Sequence, residues 1–156
     1  MTTTSDLVPV AVLLGIARRV RDRAFAIAKT KNVPIRSAGE ILIDPPKTTQ
    51  SQIAINIRFS NNRIAAFEWG SGIHRERGTP KKYTISANKA PFLIFEGTNQ
   101  FAGQRIVIPS VDHPGVKARP FLEPAKRQTR QQNLADLRAT VNTNLKLIIK
   151  GMARKI

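Results

Sequence analysis

The sequence contains no cysteine, which excludes disulfide cross-links and thiolate metal sites. Acidic residues are scarce: 10 Asp and Glu stand against 26 Lys and Arg, a net charge of +16. A chain so unbalanced repels itself and attracts polyanions, acidic protein surfaces or anionic membranes. Aromatic residues are few, with one Trp and one Tyr, and only Tyr83 lies among the clustered basic residues. A stacking platform for single-stranded nucleic acid is therefore not expected. A membrane span needs about 20 apolar residues, and no run of that kind is read here. The short apolar stretch 8–17 is followed, not preceded, by Arg18, Arg19, Arg21 and Arg23. That order is the reverse of a signal peptide, so neither leader nor span is expected.

What is present reads as a folded chain. The 156 residues suit a single domain, and 41% apolar with 23% charged residues lies near the globular average, which argues against disorder. Met1–Ser5 reads as a loose polar terminus. From Asp6 to Lys31, Val12, Leu13, Ile16, Ala17, Val20, Ala24, Ile27 and Ala28 repeat at helical spacing. Ser5 or Asp6 is the expected cap, Pro9 fits the first turn, and Asn32 with Pro34 ends the helix. Residues 40–109 form the β region. Glu40–Ile43 is a short strand, and Gln52–Ser60 and Arg63–Trp69 are expected to pair as a hairpin through Asn61 and Asn62. Gly70–Lys89 reads as a basic loop. Pro91–Glu96 and Gln104–Pro109 give a second hairpin around a turn at 97–103, and Ser110–Pro120 is an extended loop. A long helix over 121–152 places Leu134, Leu137, Val141, Leu145, Ile148 and Met152 on one stripe, with Pro124 in its first turn. The expected class is α+β: an antiparallel sheet of two hairpins packed with an N-terminal and a long C-terminal helix.

Groups for chemistry are sparse. His74 and His113 sit in loops, and a zinc site or hydrolase built from them with Glu76 or Asp112 has no supporting ligand spacing. Gly70-Ser71-Gly72 lacks the spacing of a nucleophile elbow, and no phosphate-binding glycine loop ends in Lys-Ser or Lys-Thr. No enzyme activity and no cofactor are expected. Glu68 has two readings. It is a buried or interfacial carboxylate paired with an Arg of a neighbouring subunit, or a strand-edge residue meeting solvent or a local cation such as Arg75 or Arg77. Arg75, Arg77, Lys81, Lys82 and Lys89 read either as contacts to DNA phosphates or as a loop that is solvated or docked on an acidic protein.

Two segments carry a resemblance. The first is Ile64-Ala65-Ala66-Phe67-Glu68-Trp69-Gly70-Ser71-Gly72. The second runs from His113-Pro114-Gly115 through Arg119-Pro120-Phe121-Leu122 to Pro124-Ala125. In this order, between two helices, they resemble the tail-completion, or neck, proteins of tailed bacteriophages of the lambda-like siphophage type. Ser71 stands where that family usually has Thr, and Ala65 where Tyr is common.

The resemblance implies a non-enzymatic virion protein of the head-tail junction, made in the host cytoplasm. It implies a homo-oligomeric ring, six- or twelve-fold, between a connector or stopper and the tail terminator, with genomic DNA passing through the lumen. Phe67 to Gly72, His113 to Gly115, Arg119 to Leu122, Pro124 and Ala125 are then fold-making residues. The charge balance supports a competing reading, a non-specific basic nucleic-acid-binding protein.

Overall fold

A computed structural model describes residues 8–49, 52–75, 79–87, 90–96 and 102–153. Met1–Ser5, the cap expected at Ser5 or Asp6, Glu76, Arg77, Lys89 and most of the turn at 97–103 lie outside the described residues. The fold is α+β, with three α-helices and small antiparallel two-stranded sheets among the described residues. The elements are α1 (Val10–Thr30), β1 (Ile41–Ile43), β2 (Lys47–Thr48), β3 (Ile53–Ala54), β4 (Ile57–Phe59) and α2 (Asn62–Trp69). They continue with β5 (Tyr83–Ser86), β6 (Leu93–Glu96), β7 (Arg105–Ile108), β8 (Ser110–His113) and α3 (Leu122–Ala153). Among the described residues no helix is long and apolar enough to cross a membrane.

The chain divides into two compact units. The first comprises the residues up to Glu68 and those from Arg119 onward; the second is Trp69–Ala118.

The first unit is built on α1 and α3. Pro9 is extended, with ψ 139°, so α1 starts at Val10 and not at Asp6; Pro9 precedes the helix as its N-cap. At the other end the Val33 and Asn32 N–H groups donate to the Ala28 and Lys29 carbonyls, at 2.9 and 3.1 Å. Asn32 takes a φ of 53° to close this Schellman turn, and Val33 folds back into the core. Helix α3 runs antiparallel to α1: Arg19 bonds Asn133 and Asp136, while Arg23 bonds Gln128. The core gathers Val20, Ala24, Ile27, Val33, Ile35, Ile41, Ile64, Phe121 and Leu122. Only the first turns of α3 are buried. Leu134, Leu137, Val141 and Ile148 of the expected stripe are half-buried, and Leu145 is exposed.

The first expected hairpin is corrected. Arg63–Trp69 is not a strand but lies within helix α2, and β4 pairs instead with β1, Leu42 opposite Arg58. The Asn61 side chain makes the difference, because its Oδ1 accepts the Ile64 N–H at 3.1 Å as an N-cap does. Ile64 and Glu68, one turn apart, are then the buried residues of the helix. The hairpin that does form has arms 41–48 and 53–59, with β2 pairing β3 near its tip. Its ladder breaks at Pro45 and Pro46, which have no N–H to give.

The second unit holds two ribbons. β6 pairs β7 as expected, Ile94 opposite Val107. β5 and β8 correct the sequence reading, since both fall in segments expected to be loops, yet they pair with Ile85 opposite Val111. Tyr83, Ile85, Val111 and His113 share one face of that ribbon, and Thr84, Ser86, Ser110 and Asp112 the other, by strand alternation.

Phe121 is 0% exposed and meets Phe59 edge-on at 5.5 Å. Phe121→Ala is expected to lower stability by about 3–5 kcal/mol in urea denaturation. Leu145→Ala, on an exposed turn of α3, is expected to stay within about 0.5 kcal/mol of the parent. Equal losses for the two would displace the core from where it is drawn.

Candidate functional site

The two segments singled out in the sequence come together within each unit. In the first unit, α2 presents Glu68, which is 3% exposed. Its Oε2 accepts the N–H groups of Phe121 at 2.7 Å and Leu122 at 2.9 Å, and its Oε1 accepts that of Glu123 at 3.2 Å. These are the unpaired donors at the start of α3. A carboxylate there satisfies them and meets the positive end of the helix dipole. Glu68 is buried, as one of its two sequence readings has it, but its partners among the described residues are backbone amides of the same chain and not an arginine, and it is not a strand-edge residue.

The neighbouring residues complete the arrangement. The Phe67 carbonyl accepts the Arg119 N–H at 2.6 Å, and the Arg119 guanidinium lies 5.9 Å from the Phe67 ring centre. Arg119 Nη1 also donates to the Lys31 and Asn32 carbonyls, both at 3.3 Å, while Lys31 Nζ donates to the Pro120 carbonyl at 2.6 Å. One cation, Arg119, thus meets the carbonyls just past the end of α1, as an anion meets the amide end of α3. Pro124 lies in the first turn of α3, where its missing N–H costs no helical bond, and Ala125 is buried beside it.

In the second unit, Gly70-Ser71-Gly72 interlocks with His113-Pro114-Gly115-Val116. Ser71 N–H donates to the Val116 carbonyl at 2.9 Å, and Val116 N–H donates back to Ser71 Oγ at 2.9 Å. Ile73 N–H donates to the Pro114 carbonyl at 2.7 Å. Gly72 and Gly115 have φ of 61° and 105°. A Cβ on Gly72 would lie 2.7 Å from the Gly115 Cα and collide with the Pro114 carbonyl oxygen. A Cβ on Gly115 would collide with the Ser71 carbonyl oxygen. Both positions therefore require glycine, for conformation and for close approach.

The remaining residues of interest are spread out. His113 Nδ1 accepts the Gly115 N–H at 2.9 Å, and the ring stacks on Tyr83 at 5.2 Å. Asp112 accepts from Thr84 Oγ1 at 2.8 Å, and His74 is exposed on a short 3-10 turn. Among the described residues no three His, Asp or Glu side chains gather as metal ligands would. Arg75, Lys81 and Lys82 are exposed, with the Lys81 N–H tied to the Gly72 carbonyl at 3.2 Å. Trp69 is half-buried. Sequence reading missed Asn61, Lys31 and Val116 as partners in these contacts. Asn61 alone left a signal, as a capping residue ahead of an apolar run. Comparison with protein-family models, curated proteins and solved structures yields no match.

Glu68→Ala leaves the buried Phe121 and Leu122 amides without an acceptor, so a loss of about 1–3 kcal/mol is expected in urea denaturation. Glu68→Gln keeps one acceptor oxygen and is expected to lose less. Two equal losses would mean that the side chain acts through packing and not as a cap. Gly115→Ala is expected to break the interlock and speed proteolytic cleavage within Trp69–Ala118; unchanged cleavage would show that the turn tolerates a side chain.

Proposed function

We propose that this chain is a structural subunit of a tailed-phage neck, closing into a homo-oligomeric ring that joins the DNA-filled head to the tail. It works by shape and contact, and carries out no bond chemistry. Its partners are copies of itself in a six- or twelve-fold ring, with a connector or stopper on one side and the tail terminator on the other.

The observation that carries this reading is the state of the second unit. None of the buried apolar side chains of the described residues belongs to Trp69–Ala118. Two-stranded ribbons without a covered face are marginal in water. The β5–β8 ribbon is apolar on one face and polar on the other, the ordinary pattern of a sheet that covers something. The β6–β7 ribbon is apolar on one face, and on the other its apolar pair sits beside the charged pair Glu96 and Arg105. Ile94 and Val107 lie on one face at 55% and 51% exposure, while Leu93, Phe95, Ile106 and Ile108 line the other. Phe92, just before β6, is exposed as well. A ribbon with exposed apolar side chains on both faces, and with strand edges unpaired among the described residues, suits a surface that is covered in an assembly. A head-to-tail contact of this kind, repeated around an axis, closes into a ring. The residues that resemble the neck family fit such a role, because they fix turns and a helix start and present no reactive group.

The full chain is expected to form one closed oligomer by native mass spectrometry and electron microscopy, alone or on a purified neck. Ile94→Lys combined with Val107→Lys is expected to give monomers with unchanged helical circular dichroism, since both residues are exposed. A parent chain that stays monomeric and never joins purified necks would overturn the reading. A double variant that still assembles would remove the ribbon as its contact.

A further inference from the structure

We propose that the groove between α1 and α3 is a binding site for the phosphate backbone of duplex DNA. This rests on the groove itself and does not require the ring. The cavity has a volume of about 840 Å³, with Arg18, Arg19 and Arg23 on one wall and Gln128, Thr129 and Gln132 on the other.

The three arginines are not equivalent. Arg19 is neutralised, with Nη1 at 2.7 Å from Asn133 Oδ1 and 2.8 Å from Asp136 Oδ2. Arg23 donates its Nε to the neutral Gln128 Oε1 at 2.6 Å. That bond orients the guanidinium without cancelling its charge, and leaves both terminal nitrogens free to donate. Arg18 is exposed and has neither a hydrogen bond nor an ion pair among the described residues. Asp22, which also lines the groove, is engaged by Arg21 at 2.8 Å. The groove therefore holds two uncompensated guanidinium groups, one of them already fixed in direction.

This chemistry selects phosphate. A guanidinium fork matches two oxygens of one phosphate, and side-chain amides such as that of Gln132 are common donors to DNA backbone oxygens. The site is lined by small and polar residues, including Gly15 and Ala26, and has no aromatic ring to stack on a base. It therefore reads the backbone and not the sequence. Lys81 and Lys82 of the second unit offer charge as well, but no side-chain hydrogen bond holds either of them in place among the described residues.

The test is fluorescence anisotropy of the full chain with a labelled mixed-sequence duplex across a salt series. Each lost phosphate contact lowers the slope of log affinity against log salt by about 1. Arg18→Gln, which breaks no hydrogen bond or ion pair among the described residues, is expected to weaken binding and lower the slope by about 1. Arg18→Gln with Arg23→Gln is expected to lower it by about 2, with helical circular dichroism unchanged. Lys81→Gln with Lys82→Gln is expected to leave the slope near that of the parent. The proposal is overturned if Arg18→Gln binds as the parent does, or if only the lysine variant loses affinity. It is also overturned if a polyglutamate chain binds as tightly as the duplex and responds to the same arginine changes, since the site would then serve an acidic protein.

Discussion

A buried carboxylate that meets no cation among the described residues organises this molecule. Glu68 takes up the amide groups at the start of α3, and those groups would otherwise face the core unpaired. Burial of a charge is tolerated where fixed donors replace its water, and three converging N–H groups do so here. Phe121 and Leu122 supply two of the donors and are themselves core residues. One contact thus sets the beginning of the long helix, the depth at which its first turn sits and the position of α2 against it. Arg119 performs the opposite task just past the carbonyl end of α1, at the Lys31 and Asn32 carbonyls, while Lys31 Nζ ties back to the Pro120 carbonyl. The antiparallel helix pair is locked at one end by complementary charges on complementary helix termini.

The two units are stabilised by different means. The first relies on apolar packing. The second relies on backbone: Gly72 and Gly115 let two turns approach closely enough to exchange hydrogen bonds, and Ser71 adds a hydroxyl to the same join. Its apolar side chains are left mainly on ribbon surfaces. That division suits a part whose outer surface finds its partner after folding, while the helical part has its core already in place.

The long elements were legible in the sequence. Helices α1 and α3 carry enough turns for the 3.6-residue period to stand out, and β6 and β7 are compact apolar runs on either side of a turn. Helix α2 was not legible, because eight residues with Ile64, Ala66 and Glu68 in alternation fit a strand period as well as a helical one. Asn61 reads as a turn residue or as a cap, and only the bond to Ile64 decides. β5 and β8 escaped because Ser110–His113 has a single apolar residue, Val111, and its partner strand lies far away in the chain. The weight of Glu68 and of the glycines showed in the motifs, but not their partners. The Glu68 acceptor and the Phe121 donor are 53 residues apart, and no local pattern encodes such a pairing. The Arg18 and Arg23 groove was visible only as a basic helix face; its far wall belongs to α3.

The first unit is discontinuous in the chain, interrupted by the whole of Trp69–Ala118. During synthesis, α1, the first hairpin and α2 leave the ribosome well before the residues that finish their core. Until Phe121 and Leu122 emerge, Glu68 has no amides to hold, and the apolar stripe of α1 has no long helix to lie on. Closure therefore waits on late, long-range contacts, which are entropically slow to form. In that interval the nascent chain exposes sticky surface, and chaperones would find it then.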